Sequence, residues 1–411
     1  MSIAEFSPVE SNEMLRDSQE ALQDVRRALI ELYAVAGADP KNPQEVARQF
    51  GMNRNLTWKL SRVINAPDPF ASLNHLPGQQ GIDLALSAFE KSGVPGESIT
   101  HVKTALARLE KVVDVHAGDR DHFELTLESI GIFEREHRLD SGRELAYRGN
   151  SMIWGIQART RFCAAFFAPN PQQPDTVDIA QVVGLIGFRR LRPSARWRLF
   201  RLQMHDDIGG AIPKAKIPEE IQPSESGQAP LILPEFCSPN MPPVESVMTP
   251  DGQEFVLPGG PIGNQAAFDC FFGYVARGLP AYRAPMNEFA SIGAPITLPV
   301  EVLVFDLILH RDLPMASAPV VEVYGFPHGG VESPAAQTIH NLLPINQEPV
   351  GLPGNPPALA TPLVPRYSQI AARVYERMGW NPGDFRGLRV EMPYAPMSSR
   401  VVLKWNLPEK V

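Results

Sequence analysis

Cysteine is scarce in this chain, and its scarcity excludes several chemistries. The three thiols, Cys163, Cys237 and Cys270, stand far apart and no C-x-x-C pattern occurs, so neither a zinc ribbon nor a dithiol redox motif is present. An odd number of cysteines fits a reducing compartment. No run of about 18 apolar residues exists, so no membrane-spanning helix is expected. The opening MSIAEFSPVESNEM has neither a basic head nor an apolar stretch, which argues against a secretory leader and for a bacterial-type cytoplasm. G-x-S-x-G, G-x-G-x-x-G and the Lys-Ser/Thr order of a phosphate loop are all missing. Cys163 and Cys270 lie in the apolar runs CAAFF and DCFF, where a thiol is buried and inert. The expectation is therefore a protein that is not an enzyme and carries neither cofactor nor metal.

Proline is sparse early and dense late. Of 41 prolines only seven precede residue 120. Apolar segments persist between the later ones, so we expect long ordered loops around a mixed core rather than disorder. A length of 411 residues, 44% hydrophobic and 20% charged, suits a folded protein of two or three domains. A net charge of -8 argues against non-specific coating of nucleic acid.

Within that acidic chain, residues 42–65 (NPQEVARQFGMNRNLTWKLSRVIN) read as helix, tight turn, helix. Asn42 can cap the first helix and Pro43 suits its first position. Val46, Ala47 and Phe50 share a face. Gly51 supplies the turn, four residues after the small Ala47. Asn53 caps a second helix whose inner stripe is Leu56, Leu60, Val63 and Ile64. Its outer face carries Arg54, Asn55, Trp58, Ser61, Arg62 and Asn65, with Lys59 at the flank. From Lys41 to Arg62 five cations (Lys41, Arg48, Arg54, Lys59, Arg62) meet one anion, Glu45. Phosphate contact needs such a local basic patch.

These residues resemble the helix-turn-helix of bacterial transcription regulators, in which an alanine precedes the turn glycine by four residues, an apolar residue follows it, and the second helix enters the major groove. Ala47, Gly51 and Met52 stand at those places. Thr57 departs from the Val or Ile usually buried there. The resemblance implies DNA contact by Asn53, Arg54, Asn55, Trp58, Lys59 and Arg62, and a homodimer as the default. The whole chain is also similar to conserved bacterial proteins that join a helix-turn-helix to an α+β domain of unassigned role, which implies architecture alone.

The periodicity predicts a helix over 13–35 ended by Gly37, two more near 81–92 and 97–113, and a boundary at AGDRD (117–121). The expected division is a helical domain over 1–118, without a wing, and a proline-rich α+β domain over 119–411. Further helices are expected near 121–129, 134–152, 178–193, 262–278 and 367–380. Strands are expected at 159–169, 196–204, 253–258, 298–309, 320–326, 388–394 and 401–405.

Other constellations have plain structural explanations. His205-Asp206-Asp207 and His310-Arg311-Asp312 each follow a strand and could supply metal ligands, or simply close the strand in solvent. LPGGPIGNQ (257–265) could hold an anion with its amides, or form a turn. RRLRPSARWRLFR (189–201) interleaves arginines with Trp197 and Phe200, as a nucleic-acid surface does, but its alternation equally gives a strand with one solvated basic face. The reading that follows is an α+β, DNA-binding transcriptional regulator whose larger domain senses an unknown small ligand or binds a protein partner. The rival is a scaffold whose N-terminal helices make protein contacts, favoured if Trp58 is buried.

Overall fold

The computed structural model describes residues 8–73, 75–129, 135–203, 218–223, 229–249, 252–284, 288–325 and 339–410. The chain is α+β and divides into two compact units, Met1–Leu139 and Asp140–Val411. Among the described residues no helix is long and apolar enough to cross a membrane.

The first unit holds α1 (Pro8–Val35), α2 (Pro43–Gln49), α3 (Arg54–Ile64), α4 (Pro69–Leu73), α5 (Gln79–Lys91), α6 (Gly96–His116) and α7 (Arg120–Ser129). Its described residues form no strand. Apolar residues three and four apart put Leu22, Val25, Leu29 and Leu32 of α1 into one core with Leu60 and Val63 of α3 and Val102 and Leu109 of α6. Phe89 centres this core, its ring 5.4 Å from Tyr33 and 4.7 Å from Phe50. The expected boundary at 117–121 is a turn inside this unit. Phe123 and Leu127 of α7 are fully buried in the helical core, and the Arg120 guanidinium donates to the carbonyls of Leu73 (3.0 Å) and Leu76 (2.9 Å). Asn42 does not cap α2 with its side chain as expected. Its amide instead donates to Asp39 at 2.8 Å.

Helix α8 (Arg135–Trp154) leads into the second unit. There follow β1 (Ile156–Pro169), β2 (Thr176–Arg190), β3 (Trp197–Gln203), β4 (Glu219–Glu220), β5 (Glu245–Thr249), β6 (Gly252–Leu257) and β7 (Phe268–Pro280). The unit finishes with β8 (Phe289–Ile296), β9 (Val300–His310), β10 (Val320–Gly325), β11 (Val350–Gly351), α9 (Tyr367–Met378), β12 (Phe385–Pro393) and β13 (Ser399–Asn406).

Seven strands form the main sheet in the order β11-β12-β9-β1-β2-β7-β4, with β1 and β9 parallel and the other neighbours antiparallel. Two three-stranded sheets, β10-β13-β8 and β3-β6-β5, complete the unit. Alternation along β1 sends Cys163, Ala165 and Phe167 to one side, where Ile296 of β8, Leu403 and Trp405 of β13 and Leu257 of β6 close a core. Phe162, Ala164 and Phe166 face the other way, onto Tyr367, Ile370 and Val374 of α9. The main sheet is thus covered on both faces.

Two expected helices are strands. Residues 178–190 belong to β2, with 191–193 in the bend after it, and 262–278 hold a short 3-10 turn (Asn264–Ala266) followed by β7. Both strands are central, and β2 is buried on both sides for ten consecutive residues, Val177–Ile186. Burial on two faces removes the polar alternation that marks a half-buried strand and leaves a continuous apolar run.

Candidate nucleic-acid interface

The turn between α2 and α3 follows from its sequence. Gly51 sits at φ +64°, which an L side chain rarely adopts, and the Met52 amide closes the turn on the Ala47 carbonyl at 2.9 Å. Asn53 then caps α3, its carboxamide oxygen accepting from the Asn55 amide at 2.7 Å. Thr57 is fully buried where an apolar residue is usual. Its hydroxyl donates to the Arg54 carbonyl at 3.1 Å inside its own helix, so it enters the core without an unsatisfied group.

Three bonds fix the far end of α3. The Ser61 hydroxyl and the Asn65 amide donate to the Pro40 carbonyl at 2.5 and 3.2 Å, and Arg26 of α1 donates to the Ile64 carbonyl at 3.0 Å. A cation at a helix C-terminus also complements its dipole. With Leu60, Val63 and Ile64 buried, the opposite face is turned out.

On that face Asn53, Arg54, Asn55, Trp58 and Arg62 are exposed and Lys59 is half-buried. Arg48 on α2 is paired with Glu45 at 2.6 Å, whereas among the described residues Arg54, Lys59 and Arg62 make no ion pair. Trp58 keeps 42% of its surface. The Arg62 guanidinium lies 5.3 Å from its ring centre, and the His75 ring meets it edge-on at 5.5 Å. Burial, with the charges of Arg62 and Lys59, pushes the His75 imidazole below its ordinary range, so it is neutral at pH 7.

The other candidates resolve into structure. His310 closes β9, its ring edge-on to Phe385 at 5.1 Å and its Nδ1 3.8 Å from Asp312. No group of three possible metal ligands occurs among the described residues, and His205-Asp206-Asp207 lies outside them. In LPGGPIGNQ the amides of Gly260 and Gly263 donate to the carbonyls of Pro193 and Arg190, so they are spent on backbone. The arginines of 189–201 are engaged as well. Arg189 bonds Glu301 at 3.0 Å, buried Arg190 bonds the carbonyls of Ala195 and Pro258, Arg192 bonds those of Ile153 and Trp154, Arg196 pairs with Glu245 and Arg198 with Glu254.

One polar centre had no forecast. Asp306, fully buried on β9, accepts two bonds from the Arg389 guanidinium (2.8 and 2.7 Å) and one from the Tyr367 hydroxyl (2.8 Å). Burial, then the Asp306 charge, pushes the Tyr367 phenol well above its ordinary range, so it stays protonated and donates. The available signal was a single aspartate inside the apolar run VLVFDLIL. The cluster ties α9 to the neighbouring strands β9 and β12 of the main sheet.

The thiols differ among themselves. Burial pushes Cys163 up to about 11. The adjacent Cys237 thiol and burial hold Cys270 well above the ordinary range, while Cys237, half-buried, is lowered by bonds from Cys270 and from the Phe271 amide (3.3 Å). All three are free. Brief alkylation of the native protein should label Cys237 first, and denaturation should bring the total to three. A mass measurement showing Cys163 labelled first would contradict this order.

No family model matches the chain, and no curated protein matches it. Among solved structures it is similar to a crystal structure of a putative protease from Parabacteroides distasonis, at 8% identity and a TM-score of 0.25. That likeness covers 62% of this chain, which spans only 41% of the other, and at such a score it carries no argument about fold or activity.

Proposed function

We propose that this chain is a DNA-binding transcriptional regulator that places α3 in the major groove, with the sheet unit sensing a small ligand or binding a partner. The observation that carries this reading is the outer face of α3: three cations with no carboxylate partner among the described residues, beside two exposed asparagines, in a chain of net charge -8. A face of a soluble acidic protein has little reason to hold unpaired like charges together unless a polyanion completes it. Asn55 lies in the first turn of α3, where an amide can bond the N6 and N7 edge of adenine. Arg62 lies two turns further along, at the reach of a phosphate. The rival scaffold reading draws on Trp58, since a half-exposed indole beside an arginine also suits a protein interface.

Binding to a selected pool of duplex DNA at two salt concentrations separates these readings. Arg62→Ala should weaken binding to every sequence and lower the salt slope by roughly one ion. Asn55→Ala should cost ~1–3 kcal/mol at one base pair and relax specificity there. Neither should move the melting temperature, because both side chains point away from the core. A wild-type chain with no salt-dependent DNA binding ends the regulator reading.

A further inference from the structure

Two cysteines that stand far apart in sequence meet at the edge of the main sheet. Beyond β4, the chain over 231–238 runs antiparallel along β7, with a 3-10 turn (Pro234–Phe236) in it. The Leu233 amide donates to the Phe271 carbonyl and the Ser238 amide to the Asp269 carbonyl, each at 2.9 Å. Between those two bonds residue 237 stands against residue 270. Residues opposed in this way across antiparallel chains have the Cα separation that a disulfide spans. The side chains meet as well. The Phe271 amide donates to Cys237 Sγ at 3.3 Å, and the Cys270 thiol donates to the same sulfur. Both thiols are free. Cys270 has no exposed surface, whereas Cys237 is half-buried at the rim, with Pro239 and Asn240 exposed beside it. Cys163 is out of reach on β1, with β2 between it and β7, and its sulfur accepts from Gln181 at 3.0 Å.

We propose that Cys237 and Cys270 are a thiol pair oxidised by hydrogen peroxide, in which Cys237 reacts first and Cys270 closes a disulfide onto it. The division of roles follows from position. A half-exposed sulfur that accepts two hydrogen bonds holds its thiolate more readily, and the thiolate is the form that attacks a peroxide. Cys237 Sγ attacks one peroxide oxygen. An S–O bond forms, the O–O bond breaks, and the hydroxide departs as water with the Cys237 proton. The sulfur is oxidised to a sulfenic acid and the peroxide is reduced. Cys270, already held against that sulfur, then attacks it. An S–S bond forms, the S–O bond breaks, and the second hydroxide departs as water with the Cys270 proton. In sum, two thiols and one peroxide give a disulfide and two waters. Burial keeps Cys270 from meeting peroxide on its own, and prompt closure spares Cys237 the irreversible sulfinic and sulfonic acids. The bond fastens 231–238 to β7 and closes a loop that contains β5 and β6, and a dithiol reductant reopens it.

The proposal stands apart from DNA binding and is tested on the full chain without DNA. Native protein is treated with hydrogen peroxide, the remaining thiols are blocked in denaturant, and the intact mass and a non-reducing peptide map are read. The wild type should lose two hydrogens, keep one thiol that can be blocked, and show the peptides of 237 and 270 linked until a dithiol is added. In Cys270→Ser the reaction should stop at a sulfenic acid on Cys237, which dimedone captures. Cys237→Ser should lose thiols to peroxide about tenfold more slowly or less. Cys163→Ser should behave as the wild type. The oxidised wild type should melt several degrees above the reduced one. Three free thiols after peroxide treatment overturn the proposal, as does a link that includes Cys163, a link that forms only once urea is added, or an oxidised chain that melts below the reduced one. These outcomes are read on the wild type, so the test survives a Cys270 variant that does not fold.

Discussion

Arg389→Met should lower the stability of the sheet unit by about 3–5 kcal/mol, the cost of leaving a buried carboxylate without its cation. Asp306 has no exposed surface and accepts two bonds from Arg389 and one from Tyr367. Methionine conserves much of the arginine stem's volume but offers no donor, so only the phenol remains to hold the charge. Arg389 also donates to the Ala360 carbonyl at 3.1 Å, which loses a partner too. The double variant Asp306→Leu with Arg389→Met removes both charges and should be markedly more stable than Arg389→Met alone. Urea unfolding followed by tryptophan fluorescence reads this well, because Trp154, Trp197, Trp380 and Trp405 all belong to this unit. A single substitution costing under about 1 kcal/mol would mean that the pair is hydrated and the account is wrong.

Leu60→Ala should destabilise the helical unit by about 2–5 kcal/mol, the range for truncating a fully buried leucine. Leu60 is 1% exposed and lies in the core shared by α1, α2 and α6. Thermal unfolding followed by the helical circular dichroism signal gives the number. The comparison that gives it meaning is Arg62→Ala, two residues on, which should leave the same melting curve in place. If both substitutions lower the midpoint alike, the outer face of α3 is buried in solution, and the scaffold reading replaces DNA binding.

The two short helices α2 and α3 and the turn between them were legible because their signals are local. Pro43, Gly51 and Asn53 each act on the backbone within a few residues, and the stripe Leu60, Val63, Ile64 needs only a period of 3.6. The strands β1, β9, β12 and β13 and helix α9 were legible from periodicity and β-branched content, and they suffice for an α+β class. What failed were β2 and β7, where the chain VDIAQVVGLIGF carries no alternation because both faces are covered. Knowing that requires α9 and the small sheets, which come from distant sequence. At AGDRD the glycine turn marks a change of direction, and only the burial of Phe123 and Leu127 shows that the helical core continues past it. The arginines of 189–201 looked like a binding surface because their partners, Glu245, Glu254 and Glu301, lie far along the chain.

The parallel pairing of β1 with β9 sets an order of events during synthesis. Ala158 stands in register with Val300, its amide donating to the Pro299 carbonyl at 3.0 Å, and β12, which seals the far side of β9, follows later still. The helical unit depends on contacts within its own short span and can settle while translation proceeds. Strand β1 cannot. It waits with its partner only in β2 and one long edge bare, and its run FCAAFF is the kind of segment that pairs with a neighbouring nascent chain. The slow step in making this protein therefore lies in holding β1 and β2 soluble until β9 arrives, and chaperone demand should fall on that interval rather than on the helices.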